Sequence, residues 1–219
     1  MQPNFTATPP ASTPETAQLL LIQKKLKLES SIKNGIGWFF WIGGMSILNT
    51  VIFFLNGSLT FVIGLGVTQL IDGFSYGLAQ NAGANQNLVR IVGFGLDIAI
   101  AALFIAAGVL GIKRQRWAII AGMVLYALDT FIFVAFKEWL GVVFHVVALA
   151  GLWGGLNAIN QLKKMEESSP IAFASLPAMP STPAVAPLKA SNLARALVFV
   201  LLGLMVVSVL IVVIFLIGQ

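Results

Sequence analysis

Several stretches of this 219-residue chain are as long and as apolar as the hydrocarbon core of a membrane is thick, and nothing else restricts its fold so severely. Apolar runs occupy residues 36–55, 59–79, 89–112, 117–136, 140–160 and 193–217. At ~1.5 Å rise per residue, about 20 helical residues cross a hydrocarbon layer ~30 Å thick. Charged residues are only 10% of the chain, against roughly 25% in soluble domains. The fold class is therefore all-α, a polytopic transmembrane helix bundle.

The basic residues test how many runs cross. Six crossings from a cytoplasmic N-terminus would put Lys113, Arg114 and Arg116 outside, and Lys163 and Lys164 as well. That breaks the positive-inside rule twice. If the run 59–79 does not cross, then Lys24–Lys33, Lys113–Arg116, Lys163, Lys164, Lys189 and Arg195 all become cytoplasmic. Only Arg90 and Lys137 stay outside. The run itself agrees. Ile63, Val67, Leu70, Ile71, Phe74 and Leu78 recur at helical spacing, opposite a small or polar face of Thr60, Gly64, Thr68, Asp72, Ser75 and Ala79. This amphipathic pattern predicts a lateral or re-entrant helix. The favoured architecture is five crossings plus this helix, with six crossings as the alternative.

The rest of the chain divides by composition. Residues 1–14 are polar, rich in Pro and Thr, and predict a disordered tail rather than a signal peptide. Residues 15–34 predict a basic juxtamembrane helix against acidic lipid. The transmembrane core spans 35–162 and contains the lateral helix at 59–79. A Pro-rich linker covers 163–192, and a C-terminal transmembrane helix covers 193–219, which is an anchor or a surface for a membrane partner or for self-association. The net charge of +5 is spread in small clusters beside the apolar runs, so nucleic acid is not the expected partner. The chain has no cysteine, which excludes disulfides, thiolate catalysis and thiolate-bound metal.

Polar residues inside the crossings mark the candidate site, because ionisable groups in a membrane are costly and face the bundle interior. Asp129 precedes Lys137 by eight residues, Asp97 follows Arg90 by seven, His145 follows Glu138 by seven, and Asn49 precedes Leu55 by six. Counting ~1.5 Å per residue puts all four ~9–12 Å below the outer boundary. Asn49, Asp97, Asp129 and His145 thus form one expected layer, with Gln69 and Asp72 capping it from above. Tyr126, three residues before Asp129, is placed to hydrogen-bond that carboxylate. Gly151 and Gly155 form a small-xxx-small pair suited to close helix packing.

Such a layer suits three functions. It can bind or move an ion, a proton or a small polar solute. It can fix helix packing in a structural or partner-docking protein, with no chemistry of its own. Asp97, Asp129 and His145 could also ligate zinc in a membrane-embedded hydrolase, although no motif such as H-E-x-x-H accompanies them and no cofactor is required. No phosphate-binding loop or nucleophile elbow is present.

The segment RWAIIAGMVLYALDTFIFVAFKEWLGVVFHVVALAGLWGGLNAINQL, with WIGGMSILNTVI and VIGLGVTQLID before it, resembles a group of uncharacterised bacterial multi-pass proteins. The resemblance covers roughly residues 36–160. It implies a bacterial inner-membrane setting with a cytoplasmic N-terminus, and it implies no activity.

Overall fold

The computed structural model describes residues 14–57, 64–168 and 170. Among these, the regular elements are all helical: α1 (Pro14–Phe54), α2 (Gly66–Asn81), α3 (Gln86–Ile112), α4 (Arg116–Ala135) and α5 (Trp139–Ser168), with a short 3-10 turn at Gly83–Asn85. Four of them, all but α2, are long and apolar enough to span a membrane. The final apolar run and most of the Pro-rich segment lie outside the described residues.

α1, α3, α4 and α5 alternate in direction, which packs them as an up-down-up-down bundle. Contacts fix the register. Gly108 and Gly111 of α3 face Phe39 and Ile36 of α1, Gly122 of α4 faces Phe39, and Gly155 of α5 faces Gly35. The end bearing Lys33 and the α3–α4 turn is called the near end below. The end bearing Phe54 and the α4–α5 turn is the far end.

Two expected boundaries are corrected. The basic helix at 15–34 and the first crossing are one continuous helix of 41 residues. No proline interrupts them, and Gly35 is there for packing. A Cβ on Gly35 would lie 2.5 Å from the Gly155 Cα and 2.6 Å from the Gly151 carbonyl oxygen. The second correction is at residues 163–168, which extend α5 rather than opening the linker. Leu162 and Met165 belong to one apolar cluster with Leu28 and Ile32 of α1, and Lys163 pairs with Glu167 one turn on. Arg114 ties this stalk to the α3–α4 turn, lying 3.1 Å from Glu166 and 3.7 Å from Glu29.

Helices α1, α3 and α4 end alike. Asn56, Arg114 and Lys137 each adopt a left-handed backbone (φ 61°, 60° and 60°) just past the helix. The following amide reaches back to the last turn, as in Gln115 N–H to the Leu110 oxygen and Glu138 N–H to the Phe133 oxygen. This closing motif favours glycine at the left-handed position, where a side chain costs roughly 1–2 kcal/mol. Lys137 is exposed, so glycine there gives up little packing. Replacing it with glycine is therefore expected to raise the thermal midpoint in detergent by a few degrees, while Lys137→Ala gives no gain.

α2 is the element that departs from the bundle pattern. Its polar face turns inward, with Thr68, Asp72 and Ala79 buried, while Phe74 and Leu78 are exposed on the outside. This inside-out arrangement suits an apolar surrounding. The helix runs back along α3, with Ser75 against Gly93, and its first residues enter the bundle.

Candidate functional site

The core is divided into an apolar near half and a polar far half. Ile36, Phe39, Ile42, Leu152 and Leu162 fill the near half. The eight polar residues buried among the described ones, Ser46, Asn49, Thr50, Thr68, Asp72, Asp97, Asp129 and His145, all lie in the far half. Asn49, Asp97, Asp129 and His145 are all among them, and they fall into two groups, one on either side of the first turns of α2.

The first group answers the backbone of α2. A helix start leaves its first amides without intrahelical partners, and α2 begins inside the bundle, where water is scarce. Its own N-cap, Leu65, has no side chain able to help. Asp129 of α4 substitutes from across the bundle: its Oδ2 accepts the Gly66 N–H at 2.7 Å and its Oδ1 the Val67 N–H at 2.8 Å. The Ser46 hydroxyl of α1 accepts the Leu65 N–H at 2.8 Å while donating to the Ile42 carbonyl. A carboxylate here also faces the positive end of the helix dipole. This is why the chain tolerates a charge in the middle of α4.

His145 completes that group. Its Nδ1 lies 2.8 Å from the Gly141 carbonyl oxygen, and its Nε2 lies 3.0 Å from Asp129 Oδ2. A carbonyl only accepts, so Nδ1 carries a hydrogen. The carboxylate accepts as well, so the Nε2 contact is a hydrogen bond when that nitrogen also carries a hydrogen. Tyr126 stacks on the imidazole at 4.1 Å and 14°, and Phe133 packs on it at 4.6 Å.

The expected Tyr126–Asp129 hydrogen bond is not formed. The Tyr126 hydroxyl is buried with no partner. Both oxygens of Asp129 are committed to α2, which draws the carboxylate away, and the phenol ring lies flat on the histidine instead.

The second group joins α1, α2 and α3. Asp97 is 1% exposed, and neither of its carboxylate oxygens makes a hydrogen bond. The Asp72 carboxyl lies close enough for the two to interact electrostatically. The Thr50 hydroxyl donates to Asp72 Oδ2 at 3.4 Å. Asp72 sits on α2, outside the four long helices, and burial pushes its carboxyl up to about 6 against the opposing pull of its contacts with Asp97 and Thr50. The lateral-helix reading puts Asp72 above the layer as a cap, whereas here it is buried on α2 beside Asp97. Asn49 is buried next to Gly64, on the α1 turn between Ser46 and Thr50.

The metal expectation is not met by this geometry. Asp97, Asp129 and His145 do not converge, and no group of three metal-ligating side chains occurs among the described residues. Both nitrogens of His145 are already bonded, so ligation would first have to break one of those contacts.

Two openings approach the layer from the far end. A cavity of about 420 Å³ lies between α2 and the α4–α5 turn, lined by Gly66, Gln69, Leu70, Phe74, Phe133 and Glu138 among others. Phe133 separates it from His145. A much smaller opening, about 10 Å³, leads to Asp72 between Phe53, Phe54, Ser75, Tyr76 and Arg90. Sequence counting gave no sign of Arg90's role there: its guanidinium donates to the Phe54 carbonyl at 2.8 Å and to Asn56 Oδ1 at 3.0 Å.

No protein-family model, curated protein or solved structure matches this chain. The site therefore has to be interpreted from its own chemistry.

Proposed function

We propose that this is a membrane protein that binds and moves a proton or small cation through the Asp72–Asp97 carboxylate pair. The observation that carries the reading is the state of Asp97, whose two buried oxygens lack any hydrogen bond while a second carboxyl stands beside them. A purely structural network satisfies its polar atoms, because each unsatisfied buried one costs about 1–3 kcal/mol. An occupant between the carboxyls removes that cost.

The proposal includes a topology. α1, α3, α4 and α5 cross, α2 is a re-entrant half-helix entered from the far side, and the run 193–217 supplies a fifth crossing that anchors the chain or mediates self-association. Lys24, Lys25, Lys27, Lys33, Lys113, Arg114, Arg116, Lys163 and Lys164 gather at the near end, which supports a cytoplasmic near end. A bacterial inner membrane, implied by the resemblance of the segment from Arg116 onward, belongs to the same proposal. Broken or half helices whose positive ends face polar groups are a recurring way to build ion sites in membranes.

A second reading, that the layer only fixes packing, is favoured by one observation. Asp129 and His145 have partners for every polar atom, so their roles are explained by holding α2. Asp97 is not explained in that way.

Flux separates the readings. Full-length protein in sealed vesicles, under an imposed proton, sodium or potassium gradient, is expected to dissipate at least one of the three. Asp97→Asn keeps the shape and is expected to reduce that flux at least tenfold while remaining folded. Burial pushes the Asp72 carboxyl up to about 6, so the proton it holds itself is released as pH rises through about 6 rather than near 4. A folded Asp97→Asn variant with wild-type flux, or no flux under any gradient, would sink the reading and leave packing as the role of the layer.

A further inference from the structure

We infer that the occupant of the Asp72–Asp97 site is a proton, delivered from the far end through the single-water neck beneath Arg90. This rests on the function proposed above and narrows it from any small cation to one.

Three features of the structure converge. The first is space. The opening over Asp72 holds about 10 Å³, and one water requires roughly 10–15 Å³. A hydrated metal ion does not fit there, whereas a proton moves along a single water.

The second is charge. The Arg90 guanidinium lines that opening and is held in place by the Phe54 carbonyl, by Asn56, and by the Phe54 ring 5.4 Å away. A permanently charged group fixed at a narrow mouth opposes any cation that must travel as an ion. Proton transfer through water can instead proceed by exchange of hydrogens, with no hydrated ion passing the guanidinium.

The third is ligand supply. Hard metal cations take six or more oxygens. Here the side chains are Asp72, Asp97 and the Thr50 hydroxyl, whose hydrogen is already given to Asp72, and no cluster of three metal-ligating side chains exists among the described residues. A proton needs only what is present. Two close, dehydrated carboxyls share one proton rather than both ionising, and that proton supplies the hydrogen bond Asp97 lacks.

The charged surroundings are consistent on every side. α2 contributes Asp72 and Tyr76, and α3 contributes Asp97 and Arg90. The polar side chains from α1 are Asn49 and Thr50, neither of which titrates. From α4 and α5, Asp129 and His145 are bonded to each other and to the α2 backbone.

The decisive measurement is infrared difference spectroscopy of the full-length protein in lipid, following the C=O stretch of a protonated carboxyl. A buried carboxylic acid band is expected at low pH. It should disappear on raising the pH, vanish in Asp97→Asn, and stay unchanged by saturating sodium or potassium chloride at fixed pH. Salt-induced loss of the band would show a metal ion displacing the proton and overturn the inference, while a sodium or potassium flux would leave the wider function standing. Conversely, an intact titrating band with no flux under any gradient would sink the function and keep the occupant.

The neck has its own readout, the rate at which the band shifts after transfer to heavy water. Arg90→Ala should speed that exchange at least tenfold, and Asn56→Gly, which removes one of Arg90's partners but leaves its side chain over the neck, should not. Equal rates in all three proteins would overturn the proposed path.

Discussion

Asp129→Ala will lower the thermal midpoint further than any other single substitution in the polar half of the bundle. The carboxylate accepts two amides of α2 and faces His145, all at 2.7–3.0 Å. Truncation strands the Gly66 and Val67 amides and leaves an imidazole with an unmatched Nε2. Each buried amide left unmatched costs about 1–3 kcal/mol, and two are stranded at once. Asp129→Asn should fall in between, at about 1–3 kcal/mol, because its single carbonyl oxygen can serve one amide and not both. The local signature is as informative as the midpoint. Hydrogen exchange over residues 64–70 should accelerate in both variants, by more than exchange in the near half of α4. If Asp129→Ala unfolds at the wild-type temperature with that segment still protected, Asp129 is not what holds the start of α2.

The second large effect belongs to the seam between α1 and α5. A methyl group on Gly35 would meet the Gly155 Cα at 2.5 Å, the Gly155 nitrogen at 2.6 Å and the Gly151 oxygen at 2.6 Å. All three are backbone atoms, which cannot rotate away as a side chain would. Gly35→Ala must therefore push the helices apart and should cost about 1–3 kcal/mol, the usual range for overpacking. The same helix carries its own control. A methyl on Gly37 meets nothing within 4 Å, so Gly37→Ala should stabilise by about 0.5–1 kcal/mol, the ordinary gain of alanine over glycine inside a helix. Measured together in detergent, the two substitutions should shift the midpoint in opposite directions. Equal shifts would mean that helix propensity, not contact, governs both positions.

Much of this was legible in the sequence, and the reason is geometric. Asp129 and His145 stand eight and seven residues from the tight turn that joins their helices, and residues equidistant from such a turn meet in an antiparallel pair. The same counting applies to Asp72 and Asp97 about the turn at 82–85, but it requires α2 to pack along α3. The amphipathic pattern of 59–79 suggested a helix lying across the bundle, and Asp72 was accordingly placed above the layer. What sequence could not supply was the demand of the α2 backbone. Unsatisfied amides leave no trace in residue type, so the purpose of Asp129 and Ser46 emerges only when the start of α2 is located. The stacking of Tyr126 on His145, in place of a hydrogen bond to Asp129, follows from that same commitment of the carboxylate. The unbroken length of α1 is obscured by Gly35 and Gly37, which resemble a stop, although Gly35 serves a helix contact and Gly37 meets nothing.

Where two backbones touch, there is no compressible padding, and α1 with α5 must behave as one rigid frame. α2 is different in kind, since its inner tip is moored by three backbone hydrogen bonds to side chains of other helices, so its seating stands or falls with two side chains rather than with an interlocking surface.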